Sequence, residues 1–173
     1  MLIKITKYSD LDERKLMNIY SESNIENAEY FFPDENDKDK AVKRVESNFC
    51  EFLKNVFYKR EESTYWVYEE EGEWLSALRT NMVKAGLFYL EALETSPENR
   101  MKGYAAHLLN DVIDEMKKEV SFKLCDCVRK RNTASLKTHE KCGFKIVSDI
   151  GYDYLSNEEC ESDYSLEYSY VAN

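Results

Sequence analysis

The chain has 173 residues, which is enough for one domain with a sizeable hydrophobic core. Its formal net charge is −10, since 34 Asp and Glu residues outnumber 24 Lys and Arg residues. This excess argues against nucleic acid or an anionic membrane as the main partner, because both bind basic patches. It is compatible with a cationic substrate such as an amine, and also with a role in solubility alone.

The cysteines and the N-terminus indicate the cellular compartment. The apolar run in the first ten residues is too short for a signal peptide, and no segment is long enough to span a membrane. The odd number of cysteines, five, indicates reduced thiols, so we expect a cytoplasmic protein. Cys125 and Cys127 have strand spacing, but with only two histidines in the chain we expect no metal site.

The first third of the chain predicts one strand followed by two helices. Residues 2–8 alternate apolar and polar side chains, as a strand does. Ser9 or Asp10 can cap a helix that continues to about Ser21. Residues 38–60 carry apolar residues at helical spacing over five turns.

Residues 24–37 are less regular and contain the aromatic cluster Tyr30-Phe31-Phe32-Pro33. These rings can plug a loop into the core, which is the simpler interpretation. The alternative is that they line a pocket for a substrate.

The middle of the chain predicts a meander of three strands. The strands are expected over residues 64–69, 74–80 and 87–94. A turn containing Gly72 joins the first two, and residues 81–86 form a longer connection to the third.

The last part of the chain predicts alternating helices and strands. After Gly103, apolar residues recur on one face of a helix that reaches Val120. The remaining elements are expected as a strand over residues 122–128, a helix over 133–142, a strand over 144–148, a polar connection over 149–163 and a final strand over 164–171. The order βααβββαβαββ indicates an α/β fold, with one mixed sheet flanked by helices in a single domain over residues 1–173.

The connection between the third meander strand and the following helix has the features of a phosphate-binding turn. A strand leads through a polar loop with Pro97 and Gly103 into a helix N-terminus. The first helical turn has unpaired N–H groups, and the helix dipole favours negative charge there. Glycine lets a ligand approach the backbone closely.

Two motifs give this chain its resemblance to a known family. Arg100-x-x-Gly103-x-Ala105 matches the pattern [Arg/Gln]-x-x-Gly-x-[Gly/Ala], which is weak by itself. One β-α unit downstream, the segment 132–144 contributes Asn132, Ser135 and the run Glu140-Lys141-x-Gly143-Phe144. Together with the order of elements, the motifs resemble the GNAT superfamily of acyl-CoA-dependent N-acyltransferases.

The resemblance implies acetyl-CoA as co-substrate, held by two segments and Asn132. The loop would wrap the pyrophosphate of CoA through backbone N–H groups, and the strand end would pair with the pantetheine arm. A bulge near Glu94 would spread two strands apart, and a backbone N–H there would polarise the thioester carbonyl. The expected cofactor-binding residues are Leu93, Glu94, Thr95, Arg100, Met101, Lys102, Gly103, Tyr104, Ala105, Ala106, Asn132 and Ser135.

His139 is where this chain departs from the family. Members of the family usually have a tyrosine at this position, which protonates the leaving thiolate. Histidine, with a pKa of about 6.5, is largely neutral at neutral pH but still carries one N–H. His139 can therefore act as the general acid, or it can pack or contact CoA while another group or water supplies the proton.

A general base must deprotonate the acceptor amine, and Glu91 and Glu94 on the third meander strand are the candidates. Either can equally be a solvated or salt-bridged carboxylate, and the sequence does not distinguish them.

The sequence thus favours a single-domain acetyltransferase that transfers the acetyl group directly to an amine, a small molecule or a peptide, in a ternary complex. The alternative is a CoA-binding sensor or interaction module without turnover. Whether the protein is a monomer or a homodimer is left open, because the tyrosine-rich last strand can pair across a dimer or pack in the core.

Overall fold

A computed structural model describes residues 1–118 and 121–172; Val120, expected at the end of the long helix, lies outside them. The helices in this part of the chain are α1 (Glu13–Ile19), α2 (Ser21–Phe31), α3 (Lys38–Asn55), α4 (Tyr104–Met116) and α5 (Thr133–Lys141). The strands are β1 (Leu2–Ile5), β2 (Thr64–Glu70), β3 (Glu73–Lys84), β4 (Leu87–Thr95), β5 (Phe122–Arg129), β6 (Lys145–Ser148), β7 (Gly151–Asp153), β8 (Glu158–Cys160) and β9 (Asp163–Tyr170).

Seven strands form one mixed sheet in the order β1-β2-β3-β4-β5-β9-β6, and β7 pairs with β8 in a separate hairpin. Neighbouring strands of the sheet are antiparallel, except that β4 and β5 are parallel. A parallel pair needs a crossover connection, and α4 provides it. The expected α/β fold with a mixed sheet and flanking helices is confirmed.

Two hydrophobic layers cover the two faces of the sheet, because successive side chains of a strand point to opposite faces. In β2, Trp66 belongs to the layer beneath α4, whereas Tyr65 and Val67 belong to the layer beneath α1 and α3. The apolar period of α4 supplies the first layer with its buried residues Leu108, Leu109, Val112 and Ile113. Each such side chain stabilises the fold by about 1.5–3 kcal/mol.

The structure corrects the expectation for residues 24–37. Most of this stretch is α2, whose buried residues are the small Asn24 and Ala28. The side chains of Tyr30 and Phe31 are 78% and 62% exposed, so they do not plug a loop into the core. The helix ends before Pro33, which disfavours helical backbone in the residue before it.

Two helix boundaries also differ from expectation. Helix α1 begins at Glu13, because Asp12 rather than Ser9 or Asp10 provides the N-cap that accepts a hydrogen bond from the first turn. Helix α3 ends at Asn55, and a short 3-10 turn follows it.

Two segments expected to be connections are partly extended. Strand β3 continues to Lys84 in register with β4, so most of residues 81–86 is strand. The β7–β8 hairpin lies within the expected connection 149–163. In the described part of the chain, no helix is both long and apolar enough to cross a membrane.

Gly143, after α5, provides a test of packing against the last strand. Its φ is +89°, and an added Cβ would lie 3.2 Å from Cε2 of Tyr168. Gly143→Ala should therefore reduce the free energy of unfolding by about 2 kcal/mol, from backbone strain and crowding together. Gly72→Ala, at φ +83° with no atom within 4 Å of the added Cβ, should lose only about 1 kcal/mol. Urea unfolding measures both, and equal losses would show that the contact with Tyr168 has no cost.

Candidate active site

The central feature of the site is an opening between β4 and β5. The two strands pair only where residues 87–89 meet residues 123–125. Beyond Cys125, the described residues show no pairing between them, and the edges of residues 90–95 and 126–129 face each other across a gap. An extended ligand with amide groups can occupy such a gap as an added strand.

A bulge in β4 produces this opening. Arg79 of β3 is opposite Glu91, but Ala77 is opposite Glu94, so β4 has one extra residue in this interval. Ala92 has a φ of +56°, in the left-handed region that a non-glycine residue rarely adopts. Bulges bend the strand that carries them, and this one turns the end of β4 away from β5.

Side chains hold the bulge in place. Tyr20 donates a hydrogen bond of 2.6 Å from its hydroxyl to the carbonyl oxygen of Ala92. Tyr65 donates in turn to the Tyr20 hydroxyl at 2.8 Å, and both tyrosines are buried. Burial raises the pKa of Tyr20 well above its usual value, which keeps the hydroxyl a neutral donor. Ser76 donates to the carbonyl of Glu94 at 2.7 Å.

The N-terminus of α4 is open to an anionic ligand. Gly103 is its N-cap in the left-handed conformation, with φ +87° and no side-chain cap. The first helical bond is that of His107 N–H to the Gly103 carbonyl, at 3.0 Å. In the described residues, the N–H groups of Tyr104, Ala105 and Ala106 therefore have no acceptor. A Cβ at Gly103 would have no atom within 4 Å, so the space above it is free for a ligand.

Arg100 and Lys102 are already engaged with neighbouring groups. The Arg100 guanidinium forms ion pairs with Glu22 and, at 3.4 Å, with Glu94, and donates to the Thr95 carbonyl at 3.4 Å. Lys102 donates to the Asn99 side chain at 2.9 Å. Arg100 therefore connects the loop to α2 and to the end of β4.

The other residues expected at the cofactor site are distributed between the surface and the core. The side chain of Met101 is fully exposed, and the Tyr104 hydroxyl donates to Glu70 at 2.8 Å. Leu93 is half-buried against the α4 layer, and the Thr95 side chain is buried. Leu93 and Thr95 therefore offer the opening their backbone rather than their side chains.

Asn132 is the N-cap of α5. Its side-chain oxygen accepts a hydrogen bond from Ser135 N–H at 3.1 Å. The residue is exposed, and within residues 1–118 and 121–172 its amide NH₂ has no hydrogen-bond acceptor. The cap explains an asparagine here without a ligand, and it also places that donor near the end of β5.

His139 is completely buried on α5 and does not face the opening. Its Nδ1 lies 2.9 Å from the Ser135 carbonyl oxygen, and its Nε2 lies 2.8 Å from Oδ2 of Asp126. The carboxylate oxygen is off the direction of a linear N–H bond, so the contact with Asp126 is primarily ionic. Burial opposes the imidazolium, but the Asp126 carboxylate outweighs it and raises the pKa of His139.

The expectation that His139 itself donates a proton to a thiolate is therefore not met by this geometry, because both ring nitrogens face protein groups. Asp126 lies on β5 directly beyond the last β4–β5 pair, and its side chain is 10% exposed. Burial raises the pKa of Asp126. Asp126 was missed in the sequence, although an acidic residue in an otherwise apolar strand signals a paired or functional group.

A cavity of about 710 Å³ lies on the face of the sheet opposite α4 and reaches the bulge. Helices α2 and α3, with the residues that flank α2, form its walls, and Arg79, Ala92 and Glu94 form its floor. The wall residues are Tyr20, Ser23, Asn24, Asn27, Phe31, Phe32, Val45, Asn48, Phe49 and Phe52. The rival expectation, that the aromatic cluster lines a pocket, thus holds for Phe31 and Phe32.

The structure distinguishes the two glutamates of β4. Glu91 forms a salt bridge with Arg79 at 3.1 Å and accepts from Asn81 at 2.8 Å, so its charge is compensated. Glu94 lies in the cavity, with Ser23 Oγ 2.8 Å from both of its carboxylate oxygens. Burial raises the pKa of Glu94, and the Ser23 hydrogen bond and the Arg100 charge offset only part of this effect.

A second cavity, of about 420 Å³, lies near the start of β4 and β5. Phe88 and Phe122 line it together with Lys4 and Trp66. It is adjacent to neither the bulge nor the α4 N-terminus, so it is not part of this site. No group of three potential metal-ligating side chains occurs within residues 1–118 and 121–172.

Solved structures with the same fold include several acetyltransferases. The PaiA N-acetyltransferase of Thermoplasma acidophilum, in complex with coenzyme A, is 16% identical with a TM-score of 0.63, covering 98% of this chain and 99% of that one. A phosphinothricin acetyltransferase of Sinorhizobium meliloti, with AcCoA, is 15% identical with a TM-score of 0.59, covering 99% and 88%. The ribosomal-protein-S18-alanine N-acetyltransferase of Escherichia coli is 19% identical with a TM-score of 0.57, covering 74% and 78%.

No curated protein sequence matches the chain significantly. A family model for the acetyltransferase (GNAT) family matches residues 15–144, which include the bulge, the α4 N-terminus and α5. The chain therefore belongs to the GNAT family of acetyltransferases.

Proposed function

We propose that the protein transfers an acetyl group from acetyl-CoA directly to the nitrogen of an amine. The observation that carries this proposal is that Ala92 and Glu94 belong both to the edge of the β4–β5 opening and to the floor of the aromatic cavity. A thioester in the opening and an amine in the cavity would meet at the bulge, and such proximity is a main source of rate.

The cofactor contacts proposed from the sequence suit the open backbone groups. The N–H groups of Tyr104, Ala105 and Ala106 would bind the pyrophosphate, and Arg100, Met101, Lys102 and Gly103 form the loop beside it. The β4 edge from Leu93 to Thr95 would pair with pantetheine, and Asn132 and Ser135 would contact the cofactor from the β5 side of the opening. A backbone N–H of the bulge would polarise the thioester carbonyl.

We assign the role of general base to Glu94 rather than Glu91. The protonated amine would give one proton to the Glu94 carboxylate and then attack the carbonyl carbon, so that a C–N bond forms and the C–S bond breaks. The attacking nitrogen would lose its second excess proton to solvent, which leaves a neutral amide. A carboxylate whose pKa is raised by burial accepts such a proton more readily than a solvated one.

For the leaving thiolate, we propose that the proton comes from the Asp126–His139 pair. Asp126 lies on β5 just beyond the last β4–β5 pair and is the less deeply buried of the two residues, with its side chain 10% exposed. His139 would thus act through Asp126 instead of contacting the sulfur. The five free cysteines need no catalytic role, and they suit the cytoplasm, where we place the protein.

The competing function is a CoA-binding module without turnover. Acetyl-CoA should raise the melting temperature under both hypotheses, because a ligand specific to the native state stabilises it. Only the enzyme should release free CoA thiol when amines are added, and the cavity beside Glu94 favours the enzyme.

Gly103→Ala tests the pyrophosphate site. The added Cβ meets no protein atom but enters the space above the α4 N-terminus, and a residue at φ +87° is strained. We expect the variant to bind acetyl-CoA at least about tenfold more weakly, corresponding to one charged hydrogen bond. Its affinity for S-acetylpantetheine, which lacks the pyrophosphate, should change less than about twofold. Calorimetry measures both, and equal losses for the two ligands would place the pyrophosphate elsewhere.

Glu94→Gln tests the base. We expect kcat/KM for amine acetylation to fall at least about 100-fold, since an amide cannot accept the proton. The wild-type rate should rise with pH through the raised pKa of Glu94, and this limb should vanish in the variant. Glu29→Gln, an exposed position on α2, serves as the control and should retain wild-type kinetics. Wild-type pH dependence in Glu94→Gln would contradict the assignment.

Asp126→Asn tests the buried pair. The raised pKa of His139 stabilises the fold fully below its unfolded value of about 6.5, and this contribution is lost as pH rises through the folded pKa. In the variant, burial without the carboxylate lowers the His139 pKa instead. We therefore expect a loss of about 3 kcal/mol at pH 6 and a smaller loss at pH 8, by urea unfolding.

The same variant should lower kcat at least about tenfold, with a larger loss at pH 8 than at pH 6. If the variant loses stability but the pH profile of kcat is unchanged, the Asp126–His139 pair has a purely structural role.

A further inference from the structure

We propose that the acceptor is a primary amine attached to an aromatic or similarly bulky apolar group, with no carboxylate beside the nitrogen. This inference rests on the proposed function and names the substrate class of that site. It follows from three properties of the 710 Å³ cavity: its aromatic wall, its charge and the position of its carboxylate.

The aromatic wall selects an apolar body. Phe31, Phe32, Phe49 and Phe52 line the cavity together with Tyr20 and Val45. Phe31 is 62% exposed, so covering it with a ligand removes apolar surface from water. The volume is within the range of about 300–1,000 Å³ that is typical of sites for compact organic ligands. A short alkyl amine would leave most of this aromatic surface exposed to water.

The charge of the cavity selects a cation. Its floor contains Arg79, but this guanidinium is paired with Glu91 and is not free for a substrate. Glu94 is therefore the carboxylate available to an ammonium group. Glu22 and Glu26 on α2 add negative charge close enough to raise the pKa of Glu94 further.

Two other cations lie near the site. Arg44 stacks 3.8 Å from the centre of the Phe32 ring, but it is not among the residues that line the cavity. Arg100 approaches Glu94 from the cofactor loop and is shared with Glu22. A carboxylate next to the reacting nitrogen would face Glu94, and the two cations beside Glu94, Arg79 and Arg100, are already paired with protein carboxylates. We therefore expect it to be rejected through like-charge repulsion.

Closely related amines test the proposal. With saturating acetyl-CoA, kcat/KM from CoA thiol release is compared for phenethylamine, phenylalanine, n-propylamine and spermidine. Phenethylamine should exceed n-propylamine at least about tenfold, as expected for burial of a phenyl ring. It should exceed phenylalanine by a similar or larger factor, because the two differ only in the carboxylate.

A variant at the cavity wall makes the test specific to the site. Phe31 is largely exposed, so Phe31→Ala should fold normally while removing part of the wall. It should reduce kcat/KM at least about fivefold for phenethylamine and less than about twofold for n-propylamine. Ile25→Ala removes an exposed apolar side chain of the same helix outside the cavity, and should change neither.

The outcomes separate the two proposals. Turnover of spermidine or phenylalanine in preference to phenethylamine would overturn the substrate class and leave the acetyltransferase function standing. Stabilisation by acetyl-CoA without thiol release from any amine would overturn the proposed function, and the substrate class with it. A preference for phenethylamine over n-propylamine that is undiminished in Phe31→Ala would show that the ring binds outside this cavity.

Discussion

The site depends on two strands that cease to pair. After the contact of Tyr89 with Cys125, β4 and β5 separate, and the sheet loses backbone hydrogen bonds in its centre. Unpaired backbone groups inside a protein are costly, so other contacts must enforce the separation, and water or a ligand must satisfy the groups that it frees. The bulge at Ala92, held by the Tyr20 hydroxyl, enforces it. The same bulge also brings Glu94 into the cavity lined by α2 and α3, so one local irregularity shapes both the opening and the cavity.

The buried charges around this opening are organised in two ways. Arg79 pairs with Glu91, and His139 pairs with Asp126, which satisfies the rule that buried charges need partners. Glu94 differs, because its strongest partner is the neutral Ser23 hydroxyl and its contact with Arg100 is long and partly exposed. A carboxylate that is buried without full compensation is unfavourable for stability. Such a group is most readily explained by a task that needs a proton acceptor at that position.

The sequence predicted the parts of the site that depend on local pattern. The apolar period of α4 and the glycine before it are enough to place a helix N-terminus after a strand, and Asn132 is recognisable as the cap of α5. The choice between Glu91 and Glu94 could not be made, because an extra residue in a strand reverses the faces of everything after it. That residue is marked by no glycine or proline; Ala92 adopts its strained conformation because the tertiary contacts of Tyr20 require it.

The sequence also gives no indication of helix α2 or of the environment of His139, because both depend on tertiary contacts. The sequence does not reveal helix α2, because only Asn24 and Ala28 are buried and neither is a large apolar residue. Packing against α3 stabilises this helix. The acid role of His139 follows from the family resemblance, which places it where a tyrosine usually stands but carries no information on burial. Its partner Asp126 lies on a different element, and only the three-dimensional fold brings the two together.

Arg100 connects the two halves of the site electrostatically. It belongs to the loop that precedes α4, yet its guanidinium contacts Glu94 and Glu22 across the end of β4. An anion at the α4 N-terminus competes with these carboxylates for the same cation. Because the Arg100 charge lowers the pKa of Glu94, losing that contact raises the pKa further and makes the carboxylate a stronger base. In the mechanism proposed above, binding of the cofactor pyrophosphate at this loop would therefore raise the pKa of Glu94, which is the direction that favours proton abstraction from the amine.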